Sequence, residues 1–434
     1  MKTALRTVTE SIGQSPQRSF LTRILIIAGI LRLLAVFFFA DLRTPQQYEY
    51  GDIAQHLIEG KGYSMYFPPL RDLSVVTGEY RFTIAPPPTA FKFPLIVYSE
   101  YIVLALFGKS YGAFFLLHVL YIALSLLTVV SCYSLTRKLF NDELAARWSA
   151  IGFAMYPAFI LATTTHGGIV WYQAGMMMGM LSIAHAFQHR NPRSISIAAV
   201  AVAVWISLRP ETILILLILF LYLWLKHQWR GGMLIAALAL VLLLPWQIRN
   251  YMTFHSYIPL TTSGWLNFWR GNHLGASGGG WSDDGRSLWF TPDILRTLKT
   301  IPQTARMELE IDEAYRDAAI TYITTNPINA LRLYGKKFVM FWTFDFSDPR
   351  DSYWIYRLSY ALLLLSAIAG WYVLRAHRTN TALLSIPILL FSLIIAAQHV
   401  QTRYQIYISA LYLPFAGFYL QKVTRTIFFQ PRSI

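Results

Sequence analysis

The chain has 434 residues, 55% of them hydrophobic and 14% charged, with a mean hydropathy of +0.42. That balance excludes an ordinary soluble protein and predicts an all-α polytopic membrane protein. Each helical crossing needs roughly 20 apolar residues, and about ten such runs are present, within a range of nine to twelve. The net charge of +15 is no sign of nucleic-acid binding: residues 247–354, the longest polar stretch, hold eleven Lys plus Arg against eleven Asp plus Glu. The basic excess therefore sits in short loops and tails, as positive-inside bias requires.

A basic tail with Lys2, Arg6 and Arg18 leads into the first apolar run, residues 20–40. Signal-peptide cleavage needs small residues one and three positions before the cut, and Phe38 fails that test, so a retained first span is expected. Residues 41–111 form a first outer loop. Within it, PQQYEYGDIAQHLIEGKGYS (45–64) predicts a short amphipathic helix lying on a bilayer surface. Glu49, Asp52, Gln55, His56 and Glu59 fall on one side, and Tyr50, Ile53, Ala54, Leu57 and Ile58 on the other. Gly60 and Gly62 stop it. The apolar segment 93–107 is fifteen residues long, begins at Pro94 and carries Glu100, so it reads as an interfacial or re-entrant helix.

The remaining spans are expected at 112–134, 145–163, 169–186, 195–208, 211–226, 233–246, 355–374, 381–398 and 405–421. The chain then divides into a transmembrane module with its first outer loop (1–246), an outer region (247–354), and C-terminal spans with a tail (355–434). In the outer region, GASGGGW reads as a flexible turn, and a helix from about residue 304 to 325 is closed by Asn326 and Pro327. NALRLYGKKFVMFW predicts an interfacial helix with Lys336 and Lys337 near headgroup level. Cys132 is the only cysteine, so there is no disulfide framework and no cysteine-based metal site.

Charge orients these spans. One set of termini and short loops holds Lys2, Arg6, Arg18, Arg137, Lys138, Arg147, Arg190, Arg193, Lys226, Arg230, Arg375, Arg378, Lys422, Arg425 and Arg432, whereas the opposite short loops hold only Arg209 and Arg403. Fifteen against two puts both termini in the cytoplasm and both long loops outside.

Candidate chemistry gathers on that outer face. Glu49 and Asp52 suit general-base work on a hydroxyl, or are simply solvated charges. Arg209, in RPE, and Arg403, in QHVQTRYQ, stand where positive charge is otherwise excluded. A guanidinium fork binds phosphate oxygens bidentately, although an arginine can also snorkel to ordinary headgroups. Arg249, in PWQIRNY, adds a third guanidinium, and together the three favour an anionic ligand. His166, in TTTHGGIVW, is either a substrate or metal ligand or a hydrogen-bonded interface residue. His118 and Arg32 lie within spans and read as structural polar contacts. GASGGGW lacks the Gly-Lys-Ser/Thr of a phosphate loop, and neither an HExxH nor a Cys/His cluster is present.

Several pieces in order carry a resemblance: YEYGDIAQHLIEGKGYS, PPPTAFKFPLIVYSEYIVLALFGKSYG, SLTRKLFNDELAARWSAIGFAMYP, SLRPETILIL, LLPWQIRNYMTFHSYIPLTTSGWLNFWRGNH and AYRDAAITYITTNPINALRLYGKKFVMFW. From the first span to about residue 345 the chain resembles the GT-C superfamily of integral-membrane glycosyltransferases, in particular bacterial protein O-mannosyltransferases and lipid A aminoarabinose transferases. The resemblance implies a polyprenyl-phosphate sugar donor, a membrane-lipid setting in a bacterial inner membrane, a site on the periplasmic face, and a catalytic acid in the first outer loop. In many members an Asp stands four residues before the Tyr matching Tyr50, and here Gln46 takes that place. In the subgroup most similar to this chain the acid directly precedes that Tyr, which implies Glu49 as base, with Asp52 in reserve and Tyr50 among the substrate-binding residues. The basic residue that holds the donor phosphate matches Arg209, and the PW-x-x-RN piece carries Arg249. The sugar, the acceptor (lipid, glycan or protein) and any role for a divalent metal are left open. So are two other readings: a flippase of a lipid-linked sugar, and an inactive scaffold allowed by Gln46. A transporter would show repeated halves and polar groups at the midplane, neither of which is seen.

A cysteine placed in the 137–147 turn should react with a membrane-impermeant thiol reagent only after the membrane is opened; labelling in intact cells would reverse the assigned orientation.

Overall fold

In the first helix, α1 (Gln17–Phe39), Ala28, Arg32, Ala35 and Val36 are buried while Ile26, Ile30, Leu33 and Phe37 are exposed. An outward face of large apolar side chains suits lipid, where nothing drives them inward. The structure is a computed structural model that describes residues 17–76, 80–225, 229–281, 288–346, 348–375 and 378–428. Among these, regular structure is helical, with only two isolated bridges and no strand.

The expected spans map onto α1, α5 (Tyr111–Phe140), α6 (Glu143–Met155) with α7 (Pro157–Leu161), α8 (Ile169–His189), α9 (Pro192–Leu208), α10 (Thr212–Leu225), α11 (Trp229–Phe254), α16 (Trp354–Leu374), α17 (Arg378–Ala397), and α18 (Thr402–Ile408) with α19 (Leu413–Phe428). By length and composition five helices of the described residues can cross a membrane, or six if the α6–α7 pair is one span. The two long connecting segments, 41–111 and 247–354, add α2 (Tyr48–Ile58), α3 (Pro68–Val76), α4 (Pro94–Phe107), α12 (Gly264–Arg270), α13 (Pro292–Thr300), α14 (Met307–Thr325) and α15 (Pro327–Trp342). The chain is thus an integral membrane protein with a helical cap.

Two spans that hydropathy reads as continuous are broken. Helices α6 and α7 bend by 54° at Tyr156, which is extended ahead of Pro157. Pro157 has no N–H, so the Phe153 carbonyl loses its helical partner. Arg32 fills the gap: its guanidinium donates to Phe153 O at 3.2 Å, Ala154 O at 2.9 Å and Ser125 Oγ at 2.7 Å. The last run is interrupted by the 3-10 turn Ser409–Tyr412 before Pro414 restarts the helix as α19. Helix α19 then packs so closely on α6 that a Cβ at Gly417 would collide with Ser149 and the Ala145 carbonyl. Small residues at such a crossing let backbones approach where no water drives association.

The basic connections meet at one end of the bundle. Arg425 pairs with Asp142 at 3.0 Å, Arg137 with Glu143 at 3.3 Å, Arg137 also bonds Gln17, and Lys138 bonds Gln188. Lys2, Arg6, Lys226 and Arg432 lie outside the described residues. The other helix ends carry the cap, which has its own apolar core. Tyr50, Ile53 and Ala54 of α2 are buried with Ile96 and Val97 of α4, Leu298 of α13, and Ile311 and Tyr315 of α14. The apolar face of α2, expected on a bilayer surface, is therefore covered by protein, because the second outer segment folds over the first.

Two further expectations are corrected. Lys337 is not at headgroup level but fully buried, donating to Gly271 O, Asn272 Oδ1, Ala397 O and Gln398 O at 2.8–3.3 Å. It caps the carbonyl end of α17, a favourable place for a cation. The GASGGGW turn is pinned rather than free: Val400 N donates to Gly278 O at 2.9 Å, and Arg270 Nη2 to Gly280 O at 2.6 Å.

One buried carboxylate ties the cap together. Glu308 accepts from Ala90 N at 2.8 Å and from the Thr89 and Thr262 hydroxyls, joining α14 to the first outer loop and to the segment after α11. Glu308→Ala leaves three buried donors unmatched and should lower stability by about 2–4 kcal/mol, read as a drop in Tm in detergent. Glu308→Gln, which keeps one acceptor oxygen, should lose less.

Candidate active site

Glu49 lies in the first turn of α2, where the helix dipole favours a carboxylate. Its Oε2 is 3.6 Å from Lys92 Nζ, and that ammonium also stands over the rings of Tyr50 (5.2 Å) and Phe91 (4.9 Å). Burial pushes the Glu49 carboxyl up, but Lys92, the α2 backbone, Arg403 and Arg71 together outweigh it and hold it below the usual range. The group is ionised at neutral pH. Asp52, one turn on, is paired with Arg71. The Tyr50 hydroxyl is 2.7 Å from that of Tyr172 at the start of α8. Tyr172 fits there because Gly168 has no Cβ; a methyl at that position would come within 2.2 Å of the ring carbon that bears the hydroxyl.

Arg209 ends α9 in an extended conformation and turns its guanidinium into a box of aromatic faces. Tyr404, Tyr172, Phe391 and Tyr407 lie 5.0, 5.2, 5.5 and 5.6 Å from its Cζ. Such stacking is worth about 2 kcal/mol or more when desolvated. It fixes the planar fork while leaving an edge to the site, where Nη2 meets Glu211 Oε1 at 2.9 Å. Arg403 is stacked on Tyr404 at 5.2 Å, and its buried Nε has no hydrogen-bond partner among the described residues. Burial, followed by the neighbouring Arg403, lowers Arg270 to about 10, so it stays charged at neutral pH.

These residues share one cavity of about 1200 Å³ between the bundle and the cap. Glu49, Tyr50 and Asp52 line it from α2 and Gln46 from the segment just before that helix, Arg209 and Glu211 from the α9–α10 turn, and Arg403 and Tyr404 from α18. Five of the seven residues expected at the site, Glu49, Tyr50, Asp52, Arg209 and Arg403, are thus brought together. Arg249 and His166 are not in the lining. The Arg249 guanidinium is taken up by Thr89 O at 2.7 Å, Tyr63 O at 3.1 Å and Asn250 Oδ1 at 3.0 Å, and it braces the first outer loop. His166 is buried behind the cavity wall, its Nδ1 3.3 Å from the Tyr121 hydroxyl and its ring 4.7 Å from that of His118. Burial, then His118, lowers it to about 3, so it is neutral.

Sequence reasoning missed Lys92, Arg71, Arg270, Tyr172 and Glu211, all in the lining. Only Glu211 had an available signal, through its place beside Arg209 in RPE. Among the described residues no group of three or more His, Cys, Asp or Glu side chains is arranged to hold a metal ion.

No family model and no curated protein sequence matches the chain. Solved structures do. The apo oligosaccharyltransferase of Archaeoglobus fulgidus is similar with a TM-score of 0.58 at 14% identity, over 96% of this chain and 51% of that one. The oligosaccharyltransferase AglB of the same organism, in complex with an inhibitory peptide and a dolichol-phosphate, is similar with a TM-score of 0.55 at 14% identity, over 94% and 51%. ArnT from Cupriavidus metallidurans bound to undecaprenyl phosphate gives 0.40 at 14% identity, over 94% and 78%. The chain spans about half the length of the archaeal enzyme. Over that half it shares the fold of the archaeal oligosaccharyltransferase.

Proposed function

We propose that this chain is a membrane glycosyltransferase that moves a sugar from a polyprenyl-phosphate donor to a hydroxyl of a lipid, glycan or protein acceptor. The site would lie on the periplasmic face of a bacterial inner membrane, with both termini cytoplasmic. The observation that carries this reading is that an ionised Glu49 and the guanidinium groups of Arg209, Arg403 and Arg270 line one cavity. An acid that can take a proton and a cluster that can hold a phosphate are the two components such a transfer needs. The shared fold, and the dolichol-phosphate held by the archaeal protein, agree with it.

In the transfer, Glu49 accepts the acceptor hydroxyl's proton as its oxygen forms a bond to the anomeric carbon. The bond from that carbon to the phosphate oxygen breaks, and its electron pair leaves with the polyprenyl phosphate. Attack opposite the leaving group inverts the anomeric centre. The guanidinium groups stabilise the charge that develops on the departing oxygen. A phosphate monoester is a good leaving group, so no strong general acid is needed. Asp52 would hold Arg71 beside the base, and Tyr50 would seat it against Tyr172.

Incubation with a labelled polyprenyl-phosphate sugar tests the reading. Glu49→Gln should lower kcat about 10²–10⁴-fold, and turnover equal to that of the parent would remove Glu49 from its role. Arg209→Lys keeps the charge but loses the fork, and should cost about 10²-fold in kcat/KM. No release of polyprenyl phosphate with any donor would leave a transporter or a scaffold. The pH profile has a definite sign. Because the Glu49 carboxyl is held below the ordinary carboxylate range, the base form persists as pH falls and the acid limb of kcat/KM should lie below that range. Lys92→Met removes the largest opposing charge and should move that limb upward.

A further inference from the structure

The pair formed by Arg209 and Glu211 is only half made. One contact joins Nη2 to Oε1 at 2.9 Å, while Arg209 Nε and Glu211 Oε2, both buried, have no hydrogen-bond partner among the described residues. A relaxed guanidinium–carboxylate pair makes two parallel N–H···O bonds, which along the Nε–Nη2 edge would satisfy both atoms. Here the two residues are separated by Pro210 on a tight turn, where Thr212 N closes onto Arg209 O at 3.0 Å. Four aromatic rings hold the guanidinium, so it cannot rotate to meet the carboxylate squarely. The result is a fixed cation facing the cavity, covered on one nitrogen by an anion from its own chain. A phosphate, with several oxygens and no tether, can engage Nε and Nη2 together.

We propose that Glu211 is an internal counter-anion of Arg209 that the donor phosphate displaces, so that it sets the affinity for lipid phosphate and speeds release of the polyprenyl phosphate product. This rests on the transferase reading above for the identity of the anion. Glu211 acts through Arg209 and is a positioning residue. Its carboxylate returns to Nη2 as the product phosphate leaves, so the cation is never left bare in a buried site, which would otherwise bind the product as tightly as the donor.

The test is direct binding of undecaprenyl phosphate to the full-length protein in detergent, comparing the parent with Glu211→Gln and with Glu211→Asp, whose shorter side chain draws back from the fork. Glu211→Gln should bind about tenfold more tightly, roughly the free energy of one charge-assisted hydrogen bond that no longer has to be exchanged, and Glu211→Asp should bind more tightly by a smaller factor. Under saturating donor, Glu211→Gln should lower kcat and KM together. A purely structural role for Glu211 predicts the reverse, since a loosened Arg209 would bind phosphate more weakly; unchanged or weaker binding by both variants overturns the proposal. No binding by parent or variants overturns both this inference and the transferase reading. The expected order of affinities without sugar transfer from any donor upholds the role of Glu211 as a phosphate-displaced anion and sinks the transferase alone.

Discussion

The cap of this protein depends on one knot of buried polar groups at residues 89 and 90. Arg249 takes the Thr89 carbonyl, and Glu308 takes the Thr89 hydroxyl and the Ala90 N–H. Burial in an apolar setting makes each of these bonds expensive to lose. The knot fixes the backbone two residues before Lys92, whose ammonium stands beside Glu49 and over Tyr50. Arg249 and Glu308, neither of them in the cavity lining, thus brace the segment that carries the candidate base's main counter-charge.

A second constraint lies in the depth of the site. Arg209 and Arg270 are buried and Arg403 is half-buried, an unfavourable state for a cation unless neighbours compensate. The compensation here comes largely from aromatic faces, which hold a guanidinium without neutralising it. Carboxylates in the lining are few and each faces a cation: Glu49 faces Lys92, Asp52 faces Arg71, and Glu211 faces Arg209. An anionic ligand entering such a pocket finds oriented donors already in place, with little reorganisation left to do.

Much of this was legible in the chain itself, and the failures have physical causes. The 3.6-residue period of α2 placed Glu49 and Asp52 on one edge, and that edge does face the cavity. Arg209 and Arg403 stood out because positive charge is rare in the short loops on their side. Arg249 was added because it opens the long loop assigned to the same face and lies in the PW-x-x-RN piece, yet its role is bracing: position tells which face a charge occupies, and says nothing of carbonyls 160 and 186 residues away. Lys92 and Arg270 were passed over because they lie in long polar segments, where a basic residue has no contrast. The breaks at 156 and 409–412 escaped notice because hydropathy sums side chains and does not register which backbone bonds Pro157 removes. Lys337 was placed at the headgroups because an apolar helix with lysines has that composition on either a lipid surface or a folded cap.

Arg32 has a consequence for how such a chain is made. Its acceptors are Ser125 on α5 and two carbonyls just before the α6–α7 bend, all of them about a hundred residues downstream. Until those helices have left the ribosome, the first segment carries a charged guanidinium with only the Ala28 carbonyl, on its own helix, to bond. Its residence in lipid at that stage is costly. The cost of that guanidinium is lifted only once the kinked hairpin supplies its acceptors, so the first helix is completed as a membrane segment by helices made long after it.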